Sequence, residues 1–144
     1  MILPDVNILV AANRSDHPQH EAINAWLATV NESSDWLGLT PAVASGYLRI
    51  VTNPRIHKEP TPLDRALEVI DDLLAADRVS WVYPGPDHWV IFRRLCRQAN
   101  ATGNLVQDAH HAAVAIEHGA KWATMDRDFA LFPGLDWFNP LNLS

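Results

Sequence analysis

Short apolar runs alternate along this chain with longer segments in which apolar residues recur every three or four positions. The short runs are typical of strands, and the longer periodic segments are typical of helices that bury one face. The predicted strands cover residues 2–5, 36–39, 79–83 and 121–125, with an edge strand at 136–138. The order β-α-α-β-α-α-β-α-α-β-β, with a short helical turn near Phe129, predicts an α/β fold in which helices cover a mainly parallel sheet.

Capping residues and prolines mark the starts of the predicted helices. Thr40 followed by Pro41 predicts a helix that ends near Thr52, and Thr61-Pro62 repeats the same start signal. A later helix is predicted over residues 107–118, after a loop at 100–104. The expected buried positions are Leu63, Leu67, Ile70 and Leu74 in the helix after Pro62, and Trp89, Phe92, Leu95 and Cys96 in the helix that follows it.

Composition places the chain among globular domains. It has 144 residues, 48% apolar and 19% charged, which suits one domain over residues 1–144 with a sizeable core. No secretory signal or membrane-spanning stretch is evident. The single cysteine, Cys96, excludes an internal disulfide and fits a cytoplasmic location. The net charge of −6 argues against broad attraction to nucleic acid and leaves room for a basic partner segment.

Acidic residues lie where the predicted elements change. Asp5 ends the first strand, Asp126 ends the fourth, and Asp108 stands in the first turn of an alanine-rich helix. Because ligands in open α/β sheets bind beyond the carboxyl ends of the strands, we expect these carboxylates to converge. Gathered carboxylates repel one another unless a cation lies between them or one is protonated. Hard oxygen ligands suit Mg²⁺, with Mn²⁺ as a possible substitute.

Each acid also has a simpler explanation as a helix cap. Asp is favoured at helix starts by geometry and by the helix dipole, which would account for Asp5 and Asp108 individually. Asp128 could assist the site through a water or could cap the short turn around Phe129. Asn7 and Thr124 are the candidate supporting residues, because each could hold a ligand water near an acid.

Histidines and arginines provide two further candidates. The pairs His17/His20 and His111/His118 have spacings that could bring imidazoles together, but no zinc signature accompanies them, so surface positions are the simpler explanation. The cluster Arg93, Arg94 and Arg97 could contact phosphates or form a solvated helix face.

With these residues identified, the chain resembles the PIN-domain ribonucleases of VapC-type toxin–antitoxin systems. The first motif of that family, an apolar strand followed by Asp-x-Asn, matches Asp5-Val6-Asn7. Three further segments match one branch of these toxins: 46–55, 103–119 and 126–135. The resemblance implies a PIN-like three-layer α/β/α fold with a mainly parallel central sheet of about four to five strands.

The resemblance also implies an activity and its partners. It implies an Mg²⁺-dependent endoribonuclease that cuts RNA with metal-activated water, is inhibited by a cognate antitoxin and forms a homodimer. The metal ligands and catalytic residues carry over to Asp5, Asp108 and Asp126. Two departures stand out: the helix at 40–52 lacks the glutamate usual in the family, and Pro4 replaces an ordinary strand residue. The missing acid favours one firmly bound Mg²⁺ over two.

Two other functions are compatible with the same acids. One is a phosphohydrolase that uses Asp5 as a nucleophile, although that chemistry usually needs a second Asp where this chain has Asn7. The other is a PIN-like binding module that lost its activity together with the fourth acid. Nuclease assays that compare the chain with variants at Asp5 and Asp108 distinguish these functions.

Overall fold

The central sheet is parallel throughout. The computed structural model describes residues 1–142, and its strands lie in the order β3-β2-β1-β4-β5. All four strand pairings are parallel. The strands are β1 Ile2–Pro4, β2 Leu37–Leu39, β3 Val79–Trp81, β4 Lys121–Ala123 and β5 Trp137–Phe138.

Within residues 1–142, six α-helices connect the strands in the predicted order. They are α1 Val6–Asn13, α2 His20–Glu32, α3 Pro41–Val51, α4 Leu63–Ala75, α5 His88–Gln98 and α6 Asn104–Glu117. Short 3₁₀ helices cover Arg127–Leu131, as expected near Phe129, and Pro140–Asn142, which carried no clear sequence signal. No helix within residues 1–142 is long and apolar enough to span a membrane.

Each face of the sheet carries its own apolar cluster, which gives the predicted α/β/α layers. Alternate residues of a strand point to opposite faces, so Leu3 joins one cluster and Ile2 the other. The larger cluster includes buried residues of α3, α4, α5 and α6, and the smaller one is built mainly with α2. Helix α1 contributes to both clusters, which fixes its start against the end of β1.

Pro4 lies in the central strand, and the hydrogen bonding adapts to it. The Ile2 N–H donates to Trp36 O, so the Pro4 nitrogen, two residues later, faces the same neighbouring strand without a proton to donate. The β1–β2 register is correspondingly confined to Ile2 and Leu37, whereas β1 pairs with β4 through Pro4 itself. The ladder on the β4 side therefore anchors β1 where Asp5 leaves the strand.

Helix α6 begins earlier than predicted. Residue 104 was expected in a loop and the helix from 107, but α6 starts at Asn104, directly after Gly103, whose φ of 59° only glycine adopts without strain. Asp108 therefore lies in the second turn of α6, not the first. The prediction that Asp108 stands in the first turn is wrong, and the alternative explanation, a charge that complements the start of the helix, loses its support because that effect falls off within the first turn.

Some expected core positions are exposed. Leu63 and Leu67 are 58% and 42% exposed, and Trp89 is 65% exposed. Helix α4 buries Ile70, as expected, together with Ala66 one turn earlier, so the two leucines flank a narrow contact line. Apolar periodicity located these helices correctly but overestimated the width of the buried stripe.

Candidate functional site

The ends of β1 and β4 bring two of the predicted acids together. Pro4 pairs in parallel with Ala123, so Asp5 and the segment after β4 leave the sheet at the same edge. Helix α6 supplies Asp108 from above this edge. A cavity of about 510 Å³ is lined by Asp5, Asp108 and Asp126 together. The predicted convergence of the three acids therefore holds in the structure.

Hydrogen bonds hold Asp5 rigidly. Its Oδ1 accepts from the Val6 N–H at 2.6 Å, and its Oδ2 accepts from the Thr124 hydroxyl at 2.7 Å and the Asn7 amide at 3.3 Å. Thr124 is fully buried, and Asp5 is 7% exposed. Such a carboxylate cannot rotate without breaking several bonds, so its position at the cavity is fixed.

The same hydroxyl connects Asp5 to Asp126. The Asp126 N–H donates to Thr124 Oγ1 at 3.0 Å, and the Met125 N–H donates to Asn7 Oδ1 at 3.3 Å. Asn7 and Thr124 therefore join the ends of β1 and β4 into one network. The prediction that they hold ligand waters stays a prediction; the structure shows direct hydrogen bonds from and to their side chains.

Two of the acids cap a helix and also line the cavity. Asp5 is the N-cap of α1, and Asp126 caps the following 3₁₀ helix by accepting from the Asp128 N–H at 2.9 Å. Capping uses one oxygen of Asp126 and leaves the other for the cavity. Asp128 is exposed and lies outside the cavity lining, although its charge acts on Asp108.

Two of the carboxylates hold their protons unusually tightly. Burial raises the pKa of Asp5 to about 6, against the lowering effect of the Thr124 and Val6 hydrogen bonds, and Asp126 adds repulsion. Burial also raises the pKa of Asp108 to about 6, followed by repulsion from Asp126, Asp5 and Asp128. No cationic side chain is among the causes, so the protein leaves this negative charge unbalanced.

This donor set fits a divalent cation. Carboxylate oxygens without nitrogen or sulfur partners suit Mg²⁺ or Mn²⁺, and a cation would relieve the repulsion. No group of three acid, histidine or cysteine side chains within residues 1–142 is close enough to form a preassembled metal site. Hydrogen bonds lower the pKa of Asp5 but are absent from the causes of the Asp108 shift, so no hydrogen bond offsets the burial of the Asp108 carboxylate.

The histidines do not form the zinc pairs that their spacing allowed. His118 Nε2 lies 2.7 Å from Tyr83 O, and His20 Nδ1 lies 2.8 Å from Ala11 O. His111 is 4% exposed and stacks on Trp122, with ring centroids 5.2 Å apart. Burial, followed by the charge of His110, lowers the pKa of His111 to about 4, so its ring is neutral near pH 7. Surface and core positions account for these residues.

The arginine cluster on α5 lies apart from the acids. Arg93, Arg94 and Arg97 line a separate cavity of about 340 Å³ with the exposed side chains of Trp89 and Val90. The acidic cavity is lined by Arg49 and Gln107, which the sequence did not single out, and by His17 and His111, which it offered only as possible zinc ligands. The place of His111 beside the acids was predictable, because it follows Asp108 by three residues and so shares its helix face.

Replacing Thr124 with valine should destabilise the protein and perturb Asp5. The change keeps the side-chain shape but leaves Asp5 Oδ2 and the Asp126 N–H without their shared partner, which costs about 1–3 kcal/mol. Since the hydroxyl lowers the Asp5 pKa, its loss should raise that pKa further. Thermal unfolding and NMR titration of the Asp5 carboxyl measure the two effects.

Thr124→Ser is the matched control for this prediction. It retains the hydroxyl, so the Asp5 pKa should stay close to the wild-type value even though a buried methyl group is lost. An unchanged Asp5 pKa in Thr124→Val would show that the hydroxyl does not control this carboxylate.

Comparison with solved structures supports the fold. The VapBC2 complex of Rickettsia felis, bound to a DNA fragment from its promoter, contains a chain that superposes with a TM-score of 0.72 at 18% identity, covering 96% of this chain and 98% of that one. VapC20 of Mycobacterium tuberculosis, a sarcin-ricin loop cleaving toxin, superposes with a TM-score of 0.67 at 16% identity, covering 94% and 99%.

Sequence comparison identifies the family. The PIN domain family model matches residues 2–135. VapC ribonuclease Mb2897 of Mycobacterium bovis is 41% identical over 142 residues, covering 99% of this chain and 97% of the relative. Ribonuclease VapC25 of M. tuberculosis is 36% identical over 140 residues, covering 97% and 99%. The protein thus belongs to the PIN-domain family, among the VapC ribonucleases.

Proposed function

We propose that this protein is an Mg²⁺-dependent endoribonuclease, the toxin of a toxin–antitoxin pair. The observation that carries the proposal is the convergence of Asp5, Asp108 and Asp126 on one cavity, where no cationic side chain lowers the pKa of Asp5 or Asp108. The relatives that match nearly the whole chain are ribonucleases by name, which supports RNA as the substrate. The reaction is hydrolysis of an RNA phosphodiester bond.

Asp5, Asp108 and Asp126 are the residues that would hold the metal. Mg²⁺ bound there would supply Lewis-acid chemistry, activating a water for in-line attack and offsetting the charge that develops on the phosphate. Asp5 and Asp126 provide fixed oxygens, because Thr124 and the caps orient them. Asp108 would provide a further oxygen from α6. Asn7 and Asp128 would support this set through the hydrogen bonds that they donate to Asp5 Oδ2 and Asp126 Oδ1.

Helix α3 favours one resident metal ion over two. Its residues at the cavity and at the adjoining groove are Ala42, Ser45, Gly46, Arg49 and Ile50, none of which is acidic. A second ion would need bridging carboxylates that this face of α3 does not provide. A second ion would therefore have to arrive with the substrate phosphate.

The geometry speaks against Asp5 as a covalent nucleophile. Both of its oxygens accept hydrogen bonds, and only 7% of the residue is exposed. A nucleophilic carboxylate needs an oxygen that can reach the phosphorus atom in line with the leaving group. Asp5 is better suited to hold a cation than to attack a substrate.

The proposed partners follow from the relatives. VapBC complexes among the structural neighbours support a cognate antitoxin, and the net charge of −6 suits an antitoxin segment that carries basic residues. We include in the proposal a homodimer, a single functional domain over residues 1–144 and a cytoplasmic location, where free Cys96 would stay reduced.

An RNA cleavage assay tests the proposed function. Purified, antitoxin-free protein should cut RNA with Mg²⁺ or Mn²⁺, stop cutting in EDTA and stop again when the antitoxin is added. A protein that folds normally but cuts no RNA and binds neither ion would be a binding module. A phosphoaspartate trapped at Asp5 would instead establish the phosphohydrolase.

A further inference from the structure

A groove continues from the acidic cavity across the space between α3 and α6. A second cavity, of about 530 Å³, adjoins the first, and both are lined by Val6, Arg49, Asn104, Gln107 and His111. We call this second cavity and its shared lining the α3–α6 groove. Any chain bound in it would enter the acidic cavity directly.

Gly46 brings α3 close enough to form one wall of the groove. A Cβ on Gly46 would lie 2.7 Å from Val6 Cγ2, so only glycine allows this approach of α3 to the start of α1. Arg49 follows one turn later on the same helix face, and Ser45 also lines the groove. The close packing therefore sets a cationic side chain beside the exit from β1.

Arg49 is available to a ligand. It is exposed, and within residues 1–142 it forms no ion pair, whereas Arg14 and Arg65 do. Arg49 is also absent from the causes of the Asp5 and Asp108 pKa shifts, so its charge is not used to balance the catalytic acids. A guanidinium in this position suits a phosphate, which it can bind with two parallel hydrogen bonds.

The opposite wall of the groove offers neutral hydrogen-bonding groups. Asn104 and Gln107 present exposed side-chain amides from the first turn of α6. His111 is 4% exposed, lines both cavities and has a buried Nδ1 without a hydrogen-bond partner in the described part of the chain. Amides and an imidazole suit the edges of unpaired bases and the 2′-hydroxyl of ribose.

We propose that the α3–α6 groove binds the single-stranded RNA segment next to the cleaved bond, with Arg49 on a flanking phosphate and Gln107 and His111 on the nucleotide itself. Among the described residues that line the adjoining cavity, Arg49 is charged and none is an acid, which favours a phosphate over a basic antitoxin segment as the occupant of this groove. The inference rests on the proposed ribonuclease function and adds the positioning residues and the strand state of the substrate.

RNA binding in EDTA tests the groove separately from cleavage. A fluorescent single-stranded RNA oligonucleotide and the matching duplex are titrated with wild-type protein, Arg49→Gln, Arg49→Lys and Arg94→Gln over a range of salt concentrations. Arg49→Gln should weaken single-strand binding about tenfold. The slope of log affinity against log salt should fall by about 0.7, the value for one lost phosphate contact. Arg49→Lys should retain part of the affinity.

Arg94→Gln is the matched control, because it removes one exposed positive charge from α5, outside the groove. It should bind RNA like the wild type, and all variants should unfold at similar temperatures. Equal weakening by Arg94→Gln, or duplex binding as tight as single-strand binding, overturns the proposal. Unchanged RNA binding by Arg49→Gln also overturns it, whether or not that variant binds antitoxin less tightly. A wild-type protein that binds no RNA overturns it as well.

Kinetics in Mg²⁺ separate this inference from the proposed function. Arg49→Gln should raise KM about tenfold while kcat changes less, because the contact lies beside the cleaved bond. Active protein with unchanged KM in Arg49→Gln overturns the groove proposal alone. If the wild-type protein cuts no RNA but binds it in a way that depends on Arg49, the groove proposal stands and the proposed nuclease function is overturned.

Discussion

Asp108→Asn should lower RNA hydrolysis by at least about 10³-fold and leave the fold intact. Loss of one ligand weakens a metal that contributes several kcal/mol of transition-state stabilisation, and each 1.36 kcal/mol corresponds to a factor of ten in rate. Asp108 is the most informative of the three acids, because its side chain is half-buried and no hydrogen bond contributes to its pKa. Single-turnover cleavage of a labelled RNA measures the loss.

The stability of this variant distinguishes a functional acid from a structural one. Asparagine removes a charge that is repelled by Asp126, Asp5 and Asp128, so Asp108→Asn should unfold at an equal or slightly higher temperature in EDTA. Asp71→Asn is the control, since Asp71 is an exposed acid on α4 outside the cavity. Retained cleavage in Asp108→Asn would remove Asp108 from the catalytic set.

Asp5→Asn is less easily interpreted. The Asp5 carboxylate accepts from Val6, Thr124 and Asn7, and an amide at this position keeps only one acceptor oxygen. Loss of activity in this variant would therefore combine a lost metal ligand with a disturbed junction between β1 and β4. A comparison of both variants separates the two effects, because only Asp5→Asn should also destabilise the protein.

The acids were predictable from sequence because their positions depend on topology alone. In a parallel sheet, every strand delivers the residue after its end to the same edge, so Asp5 and Asp126 meet without any knowledge of side-chain packing. Asp108 was placed correctly at the site although the start of α6 was misplaced by three residues. The error arose because Gly103 permits a helix start that has no Ser, Thr, Asp or Asn cap before it.

Arg49 and the groove were not predictable from sequence for a different reason. Which face of α3 meets α1 depends on the close approach of Gly46 to the Val6 side chain, and apolar periodicity does not reveal such a contact. The absence of an acid from α3 was visible in the sequence. A role for Arg49 could be inferred only from the structure, which shows that this residue borders the cavity. Exposed Leu63 and Trp89 reflect the same limitation, because periodicity does not give the rotation of a helix about its axis.

Mg²⁺ should stabilise the protein strongly at neutral pH and hardly at all below about pH 4. The folded-state pKa values of Asp5 and Asp108, about 6, lie above the ordinary aspartate value of 3.8, so folding favours their protonated forms. Compared with ordinary acids, these two leave the free energy of unfolding unchanged below pH 3.8. They lower it by an increasing amount as the pH rises to about 6. Mg²⁺ at 100 times its Kd would add about 2.7 kcal/mol, or roughly 5–10 °C in unfolding temperature.

The difference between Mg²⁺ and EDTA unfolding curves isolates this effect from an opposing one. The pKa of buried His111 is lowered to about 4, so its contribution to stability is present above its usual value of 6.5 and is lost as the pH falls toward 4. That loss occurs with or without the metal and cancels in the difference, whereas protonation of the acids does not cancel. A stabilisation by Mg²⁺ that is independent of pH, or that persists in Asp108→Asn, would place the ion elsewhere. Calorimetric titration should give one Mg²⁺ per chain, because α3 presents Arg49 to the cavity instead of a further acid.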